Sequence, residues 1–191
     1  NNDFSDRIKQ LSLGEPMKVG DETVQGYFPI TEPLIGGPAA RVMSLRDGSK
    51  KMSKSDANPG NFIGLLEDPK KVAKKIKRAV TDSDEQARIY YNLEEKPGVS
   101  NLLSLLSCVT NQSVEQLVPQ YEDKMYGHLK GDVAEAVVAM LEPIQTRYHQ
   151  YREDQAFLEQ VMKSGAEKAS ERAAKIITSV YDAVGFIPRP K

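Results

Sequence analysis

The stretch Asp47-Gly48-Ser49-Lys50-Lys51-Met52-Ser53-Lys54-Ser55-Asp56 sets three lysines and three serines around one methionine, directly after an Asp-Gly turn signal. Lys51 and Lys54 flank Met52 and Ser53. Ammonium groups on flexible stems are point charges that can follow a phosphate as negative charge shifts along it. Serine hydroxyls and backbone amides beside a glycine-bearing turn supply further donors to an anion. The charge is local. Between residues 41 and 78 eleven basic side chains face four acidic ones, whereas the whole chain carries 26 Lys and Arg against 27 Asp and Glu. A formal charge of −1 over 191 residues gives no general attraction to nucleic acid or membrane, so any anion site is confined to this segment. Spacing alone reads Lys70, Lys71, Lys74, Lys75, Lys77 and Arg78 as the solvated face of a helix.

Other chemistry is thin. No G-x-x-x-x-G-K-[ST] phosphate loop is present, and the two histidines, His128 and His149, are too far apart to suggest a ligand pair and read as packing or surface groups. No carboxylate, His or Cys spacing describes a protein metal cage. The single Cys108 excludes an intramolecular disulfide framework and, within the run NLLSLLSCV, is expected to be a buried, inert thiol. No apolar run approaches the roughly 20 residues that span a bilayer, and the first ten residues lack a signal-peptide core, which points to a cytoplasmic protein. The chain does not begin with Met, so it is expected to be a processed product or an excised piece.

The elements that must position the loop are legible in outline. Residues 1–40 are broken by Gly and Pro and read as loop with short extended pieces. AARVMSL, residues 39–45, reads as a short buried strand feeding the Asp-Gly turn. Asp68-Pro69 has the form of an N-cap with proline at the first helical position, and Val72, Ala73, Ile76, Ala79 and Val80 recur at helical spacing, predicting a helix over 69–80. A second apolar stripe follows Ser100, and Ser113 with Gln116 has the spacing of a capping box opening a short third helix limited by Pro119. A long amphipathic pattern from Leu129 to Arg152 carries Pro143 as an expected kink, and a last helical pattern after Asp154 stops at Gly185. The C-terminal two-thirds therefore reads as a bundle of about five helices.

KMSKS, residues 51–55, is the signature loop of class I aminoacyl-tRNA synthetases. Its surroundings, GPAARVMSL, SDANPGNFIGLLEDPKKVAKKIKRAVTDSD, KPGVSNLLSLLS and YGHLKGDVAEAV, resemble the bacterial tryptophanyl-tRNA synthetases from about Glu32 to Gly185. The tyrosine-specific relatives usually depart from this spelling. The resemblance implies a mainly α chain: residues 1–66 as the last edge of a Rossmann-like catalytic domain with the loop, and residues 67–191 as the helical anticodon-binding domain. It implies attack of the tryptophan carboxylate on the ATP α-phosphorus, then transfer of the aminoacyl group to tRNA(Trp), in a homodimeric full-length enzyme. Lys51 and Lys54 would then contact the leaving pyrophosphate and strengthen that contact as the bond breaks. Val42 and Met52 would meet the adenine through their backbones, and Ser53 and Ser55 would hold the closed loop. Taken alone, Val42 and Met52 read as core packing. Mg²⁺ would be carried with ATP.

The second class I motif, HIGH or a variant, is not found, and no segment holds the several βα units of such a sheet. The resemblance thus places these 191 residues in the C-terminal part of the enzyme, and alone they are expected to give no tryptophan-dependent ATP–pyrophosphate exchange. Residues 7–27 look like an insertion ahead of the FPxxEPLI region. Arg147, Tyr148, Tyr151 and Arg152 are unranked candidates for reading unstacked bases. Two other readings stay open: a tyrosyl-tRNA synthetase, and a non-catalytic helical RNA-binding module whose basic helix binds phosphates while the loop is incidental.

Overall fold

The computed structural model describes residues 17–19, 21–24, 26, 31–36, 40–82 and 87–187. They divide between two compact units, one formed by residues 1–34 with 154–191 and the other by residues 35–153. In the first, Met17–Val19 (β1) and Glu22–Val24 (β2) form an antiparallel hairpin with Lys18 opposite Thr23. This hairpin lies within the 7–27 stretch that reads as an insertion, and it is the one piece of regular structure described before residue 40. The same unit holds a helix, Gln155–Val184, whose N-cap Asp154 accepts from the Phe157 amide at 2.9 Å. That helix ends as predicted at Gly185, in the left-handed conformation (φ 74°).

The second unit is helical: Pro69–Lys77 (α1), Pro97–Thr110 (α2), Val114–Leu117 (α3) and Tyr126–Glu153 (α4), which makes Gln155–Val184 α5. Helices α1 and α2 each pack along α4. Val72 and Ile76 from α1, Val99, Leu102 and Leu103 from α2, and Leu129, Val133 and Val137 from α4 are buried in one core. The mainly α class read from the sequence is the one observed.

Capping chemistry decides the boundaries. The Asp68 carboxylate accepts from the Lys70 and Lys71 amides at 2.9 and 3.1 Å, as its N-cap position requires. Helix α1 ends at Lys77 and not at residue 80, because the Val80 amide leaves the helix to donate to the Leu45 carbonyl at 2.8 Å. The Ser113–Gln116 capping box forms, and Val118–Tyr121 follows as a 3-10 turn carrying Pro119. Helix α4 begins at Tyr126, before Leu129, and continues through Pro143 as one element.

Two expectations are corrected. AARVMSL does not form a strand over its described residues 40–45, and Ala39 lies outside the described residues. A single antiparallel bridge, Met43 to Lys51, remains. Cys108 is exposed. It lies on the side of α2 that carries Asn101 and Ser104, both buried, two turns beyond the Asn101 contact with Met43.

Candidate functional site

The KMSKS segment is the return arm of a tight hairpin. The Ser44 amide donates to the Lys50 carbonyl at 2.8 Å, and the Met52 amide to the Val42 carbonyl at 3.0 Å. These two bonds bracket Met43 opposite Lys51 as a non-hydrogen-bonded antiparallel pair, so the backbone N–H and C=O of Met43 point away from Lys51. A neighbouring strand would take that edge. Here the Asn101 carboxamide of α2 takes it: the Met43 amide donates to Asn101 Oδ1 and Asn101 Nδ2 donates to the Met43 carbonyl, both at 2.9 Å. One side chain thereby satisfies both groups, and AARVMSL needs no further ladder.

The hairpin tip is fixed by close approach. The Lys50 amide closes the turn onto the Asp47 carbonyl at 3.1 Å. A Cβ on Gly48 would lie 2.7 Å from the Pro97 carbonyl carbon and the Gly98 amide, so the turn rests directly on the N-terminus of α2. Gly98 is packed as tightly on its other side, where a Cβ would fall 2.2 Å from the Val80 carbonyl oxygen. Asp47 accepts from the Ser49 hydroxyl at 2.6 Å and pairs with Lys50 at 3.1 Å. Those contacts, the Ser49 hydroxyl first, hold its carboxyl below the usual carboxylate range.

Lys50 is therefore already paired, while the ammonium groups of Lys51 and Lys54 have no ion-pair partner among the described residues. Lys51, Ser53, Lys54 and Ser55 are exposed; Val42 and Met52 are half-buried and pack against the core. The Ser53 and Ser55 hydroxyls lie 3.0 Å apart, and the Asp56 amide closes a turn onto the Ser53 carbonyl at 3.2 Å. Asp56 then accepts from the Asn61 carboxamide and the Asn58 amide, each at 2.9 Å. Those bonds lower its pKa, Asn61 first. The hairpin thus brings Val42, Lys51 and Met52 into one short ladder, with Ser53, Lys54 and Ser55 on the adjoining turn. Among the described residues no group of three or more His, Cys, Asp or Glu is placed to hold a metal, and no helix is long and apolar enough to cross a membrane.

Beneath the hairpin lies a polar cluster that residue types alone did not single out. Lys96, buried, pairs with Asp82 Oδ1 at 2.8 Å and donates to the Tyr126 hydroxyl at 2.9 Å; that hydroxyl also donates to Asp82. Burial, with Asp82 second, raises the Tyr126 pKa, and burial lowers that of Lys130, whose Nζ donates to Thr81 Oγ1 at 3.3 Å. This cluster ties the segment after α1 to the starts of α2 and α4, and so holds the platform under Gly48. Lys96, Gly98 and Asn101 all fall in KPGVSN, Asp82 in TDSD, and Tyr126 and Lys130 in YGHLK: the segments that carried the resemblance carry these contacts. Arg147, Tyr148, Tyr151 and Arg152 are exposed on the last turns of α4. His128 Nδ1 accepts from the Met125 amide at 3.3 Å, an ordinary helix-start contact, and His149 lies edge-on to Tyr148.

Comparison with known proteins fits this geometry. The crystal structure of tryptophanyl-tRNA synthetase from Mycoplasma pneumoniae superposes with a TM-score of 0.68 at 29% identity, over 86% of this chain and 48% of that one. A tryptophanyl-tRNA synthetase from Campylobacter jejuni gives a TM-score of 0.55 at 26% identity, over 77% of this chain and 45% of that one. The same enzyme complexed with ADP and tryptophan gives 0.55 at 25% identity, over 76% and 44%. The chain therefore spans about half the length of the solved structures it matches. The family model for class I tRNA synthetases (W and Y) matches residues 8–142, hairpin, platform and most of α4 included, and the chain belongs to that family.

Proposed function

We propose that this chain provides the nucleotide-facing loop and the helical region of a tryptophan–tRNA ligase, which activates tryptophan with ATP to tryptophanyl-adenylate and transfers it to tRNA(Trp). The observation that carries this reading is the Met52-to-Val42 hydrogen bond at 3.0 Å, which makes the adenine-facing backbone and the KMSKS lysines parts of one hairpin. In this reading the backbones of Val42 and Met52 lie against the adenine, while Lys51 and Lys54 meet the pyrophosphate. Unpaired among the described residues, their ammonium groups gain most where negative charge accumulates on the departing phosphates, so they stabilise the transition state more than the ground state. Ser53 and Ser55 hold the turn. Mg²⁺ arrives as the ATP complex, held by the phosphates. Residues 1–66 then belong to the catalytic domain and 67–191 to the anticodon-binding domain of a homodimeric, cytoplasmic enzyme. The solved relatives at 25–29% identity are tryptophan enzymes, which supports tryptophan over tyrosine.

The test uses the full-length protein. Tryptophan-dependent ATP–pyrophosphate exchange should fall by about 10²–10³ in Lys51→Ala and in Lys54→Ala, with tRNA affinity little changed. Exchange driven by tyrosine and not tryptophan would reassign the amino acid. Unchanged exchange in both variants, with weakened tRNA binding, would leave the RNA-binding module as the function.

A further inference from the structure

We propose that the cleft between α1 and the Pro59–Asn61 turn holds a phosphodiester segment of RNA, at a site separate from the lysines of the KMSKS loop. The proposal rests on the reading of the chain as part of a tRNA synthetase for its choice of polyanion. The cleft, of about 400 Å³, is lined by Arg46, Lys71, Lys74, Lys75 and Arg78, with Pro59, Gly60 and Glu67 completing its walls. From spacing alone the α1 cations read as a solvated helix face. The structure alters that weighing in three ways.

First, the cations face a concavity built from two separate segments. Residues 71, 74, 75 and 78 share one side of α1 by the i, i+3, i+4, i+7 rule, while Val72, Ile76 and Ala79 are buried on the other. Arg46 approaches from the hairpin, and its guanidinium lies over Gly60, where a Cβ would come 3.6 Å from Nε and 3.9 Å from an Nη. Second, the lone acid of the lining is already used. Glu67 pairs with Lys75 at 2.6 Å, and Lys75 also donates to the Phe62 carbonyl at 3.1 Å and sits 5.1 Å from the Phe62 ring centroid. Lys75 and Glu67 therefore brace the wall. Arg46, Lys71, Lys74 and Arg78 have no ion-pair partner among the described residues. Third, the wall is stiff: Gly60 donates to Asn58 Oδ1 at 2.8 Å, Asn58 is held by Asp56, and the Asn61 carbonyl accepts from Leu45 at 3.1 Å.

Four cations without an ion-pair partner among the described residues, in a chain of net charge −1, are concentrated along one groove. Arg46, Lys71, Lys74 and Arg78 are exposed, so they remain hydrated, which suits a backbone tracking past them better than a compact ligand buried among them. No aromatic ring is among the lining residues, which favours contacts to the phosphate backbone over base stacking. The ligand is therefore the phosphate backbone, with bases read elsewhere.

The test is binding of labelled tRNA(Trp) to the full-length protein, followed by anisotropy between 50 and 200 mM salt. Lys71→Gln, Lys74→Gln and Arg78→Gln are compared singly and together; Arg46 is left in place because it belongs to the hairpin. Each single variant should weaken binding about fivefold near 0.1 M salt and reduce the slope of log K against log salt by about one, and the triple variant should reduce it by two to three. Unrelated RNA should lose affinity in the same proportion. Lys71→Arg and Lys74→Arg, which keep the charge, should bind like the parent. An unchanged slope in the triple variant overturns the proposal, as would be seen if the cleft served an acidic protein surface instead; so does an equal loss in the charge-keeping variants. Exchange measured on the parent keeps the two readings apart. Its absence removes the synthetase reading whatever the RNA result, whereas its presence with an unchanged salt slope removes the cleft alone.

Discussion

Asn101→Ala offers the most direct probe of how the site is built. Asn101 is 5% exposed, and its carboxamide satisfies both the amide and the carbonyl of Met43 at 2.9 Å. Truncation leaves two backbone groups without partners beneath the hairpin. Two fully buried orphans would cost roughly 2–6 kcal/mol at about 1–3 kcal/mol each, and because Met43 is half-buried the expected loss is about 2–4 kcal/mol. For a chain of 150–250 residues, each kcal/mol corresponds to roughly 2–4 °C, so the melting temperature should fall by about 5–15 °C. Far-UV circular dichroism measures this directly, and with eight tyrosines and no tryptophan the near-UV signal follows tyrosine packing. Asn101→Leu fills nearly the same volume without the polar atoms. It should lose about as much as the alanine variant if the hydrogen bonds matter, and recover most of the loss if packing does. Hydrogen exchange adds a local readout, since the Met52 amide, bonded to Val42, should lose protection before the amides of α4. A melting temperature within 2 °C of the parent, or full recovery by leucine, would falsify the clamp. In the full-length enzyme the same substitution should raise the KM for ATP more than it lowers kcat, because it loosens the backbone proposed to meet the adenine.

Lys96→Met removes the cation that pairs with Asp82 at 2.8 Å while leaving the Tyr126 hydroxyl on that carboxylate, and urea unfolding should show a loss of about 3–5 kcal/mol, most of it recovered by adding Asp82→Asn. Gly98→Ala, with its Cβ 2.2 Å from the Val80 oxygen, and Gly48→Ala, at 2.7 Å from Pro97 and Gly98 backbone, should each destabilise by at least about 1–3 kcal/mol. Gly131→Ala, inside α4 with nothing within 4 Å of the added methyl, should stabilise by about 0.5–1 kcal/mol; equal melting temperatures across the three would remove the close-packing account. Tyr121, whose pKa is raised by burial and then by its bond to Asp132, must lose its proton more readily unfolded than folded. Its contribution is complete below the unfolded value of about 10 and is lost as pH rises towards the folded value, at up to about 1.4 kcal/mol per pH unit. Urea midpoints at pH 9 and pH 11 should therefore diverge less in Tyr121→Phe than in the parent.

What the sequence disclosed and what it withheld separate by the range of the interaction. Asp68, Ser113 and Gly185 act on neighbours within a few residues, so their cap roles were readable from local order, while Asp154 was read only as the boundary it caps. The clamp joins residues 58 apart, Tyr126 meets Asp82 across 44, and Gln145 donates to the Leu65 and Glu67 carbonyls across 80 and 78. Nothing local marks such pairs. Gly48 reads as a turn residue, whereas the structure uses it and Gly98 for contact between two backbones. The expected strand failed for the same reason: a side chain from α2 could occupy the edge that the pattern assigned to another strand. Type and spacing marked the hairpin lysines as candidates for an anion site, and the family motif supplied the roles proposed for them. The platform was legible as sequence but not as contact.

The two lysines of the proposed pyrophosphate site are not mechanically equivalent. Lys51 stands opposite Met43, with hydrogen bonds on both sides of it and the Asn101 clamp behind, so its Cα is fixed and only its side chain can travel. Lys54 rides a turn bonded to itself, through Ser53, Ser55 and the Asp56 amide. That turn is anchored at Met52 on one side and at Asp56, held by Asn58 and Asn61, on the other. The free length is therefore Ser53, Lys54 and Ser55. A gate this short cannot sweep a long arc, but rotation between two fixed ends moves Lys54 while leaving Lys51 and the adenine-facing backbone in register. Under the proposed function that division gives Lys51 the part of setting where the phosphates bind, and Lys54 the part of supplying the charge that follows them as pyrophosphate leaves. Ser53 and Ser55 flank Lys54, and in the proposed function their hydroxyl pair at 3.0 Å is the contact that would be exchanged for a phosphate oxygen as the turn moves.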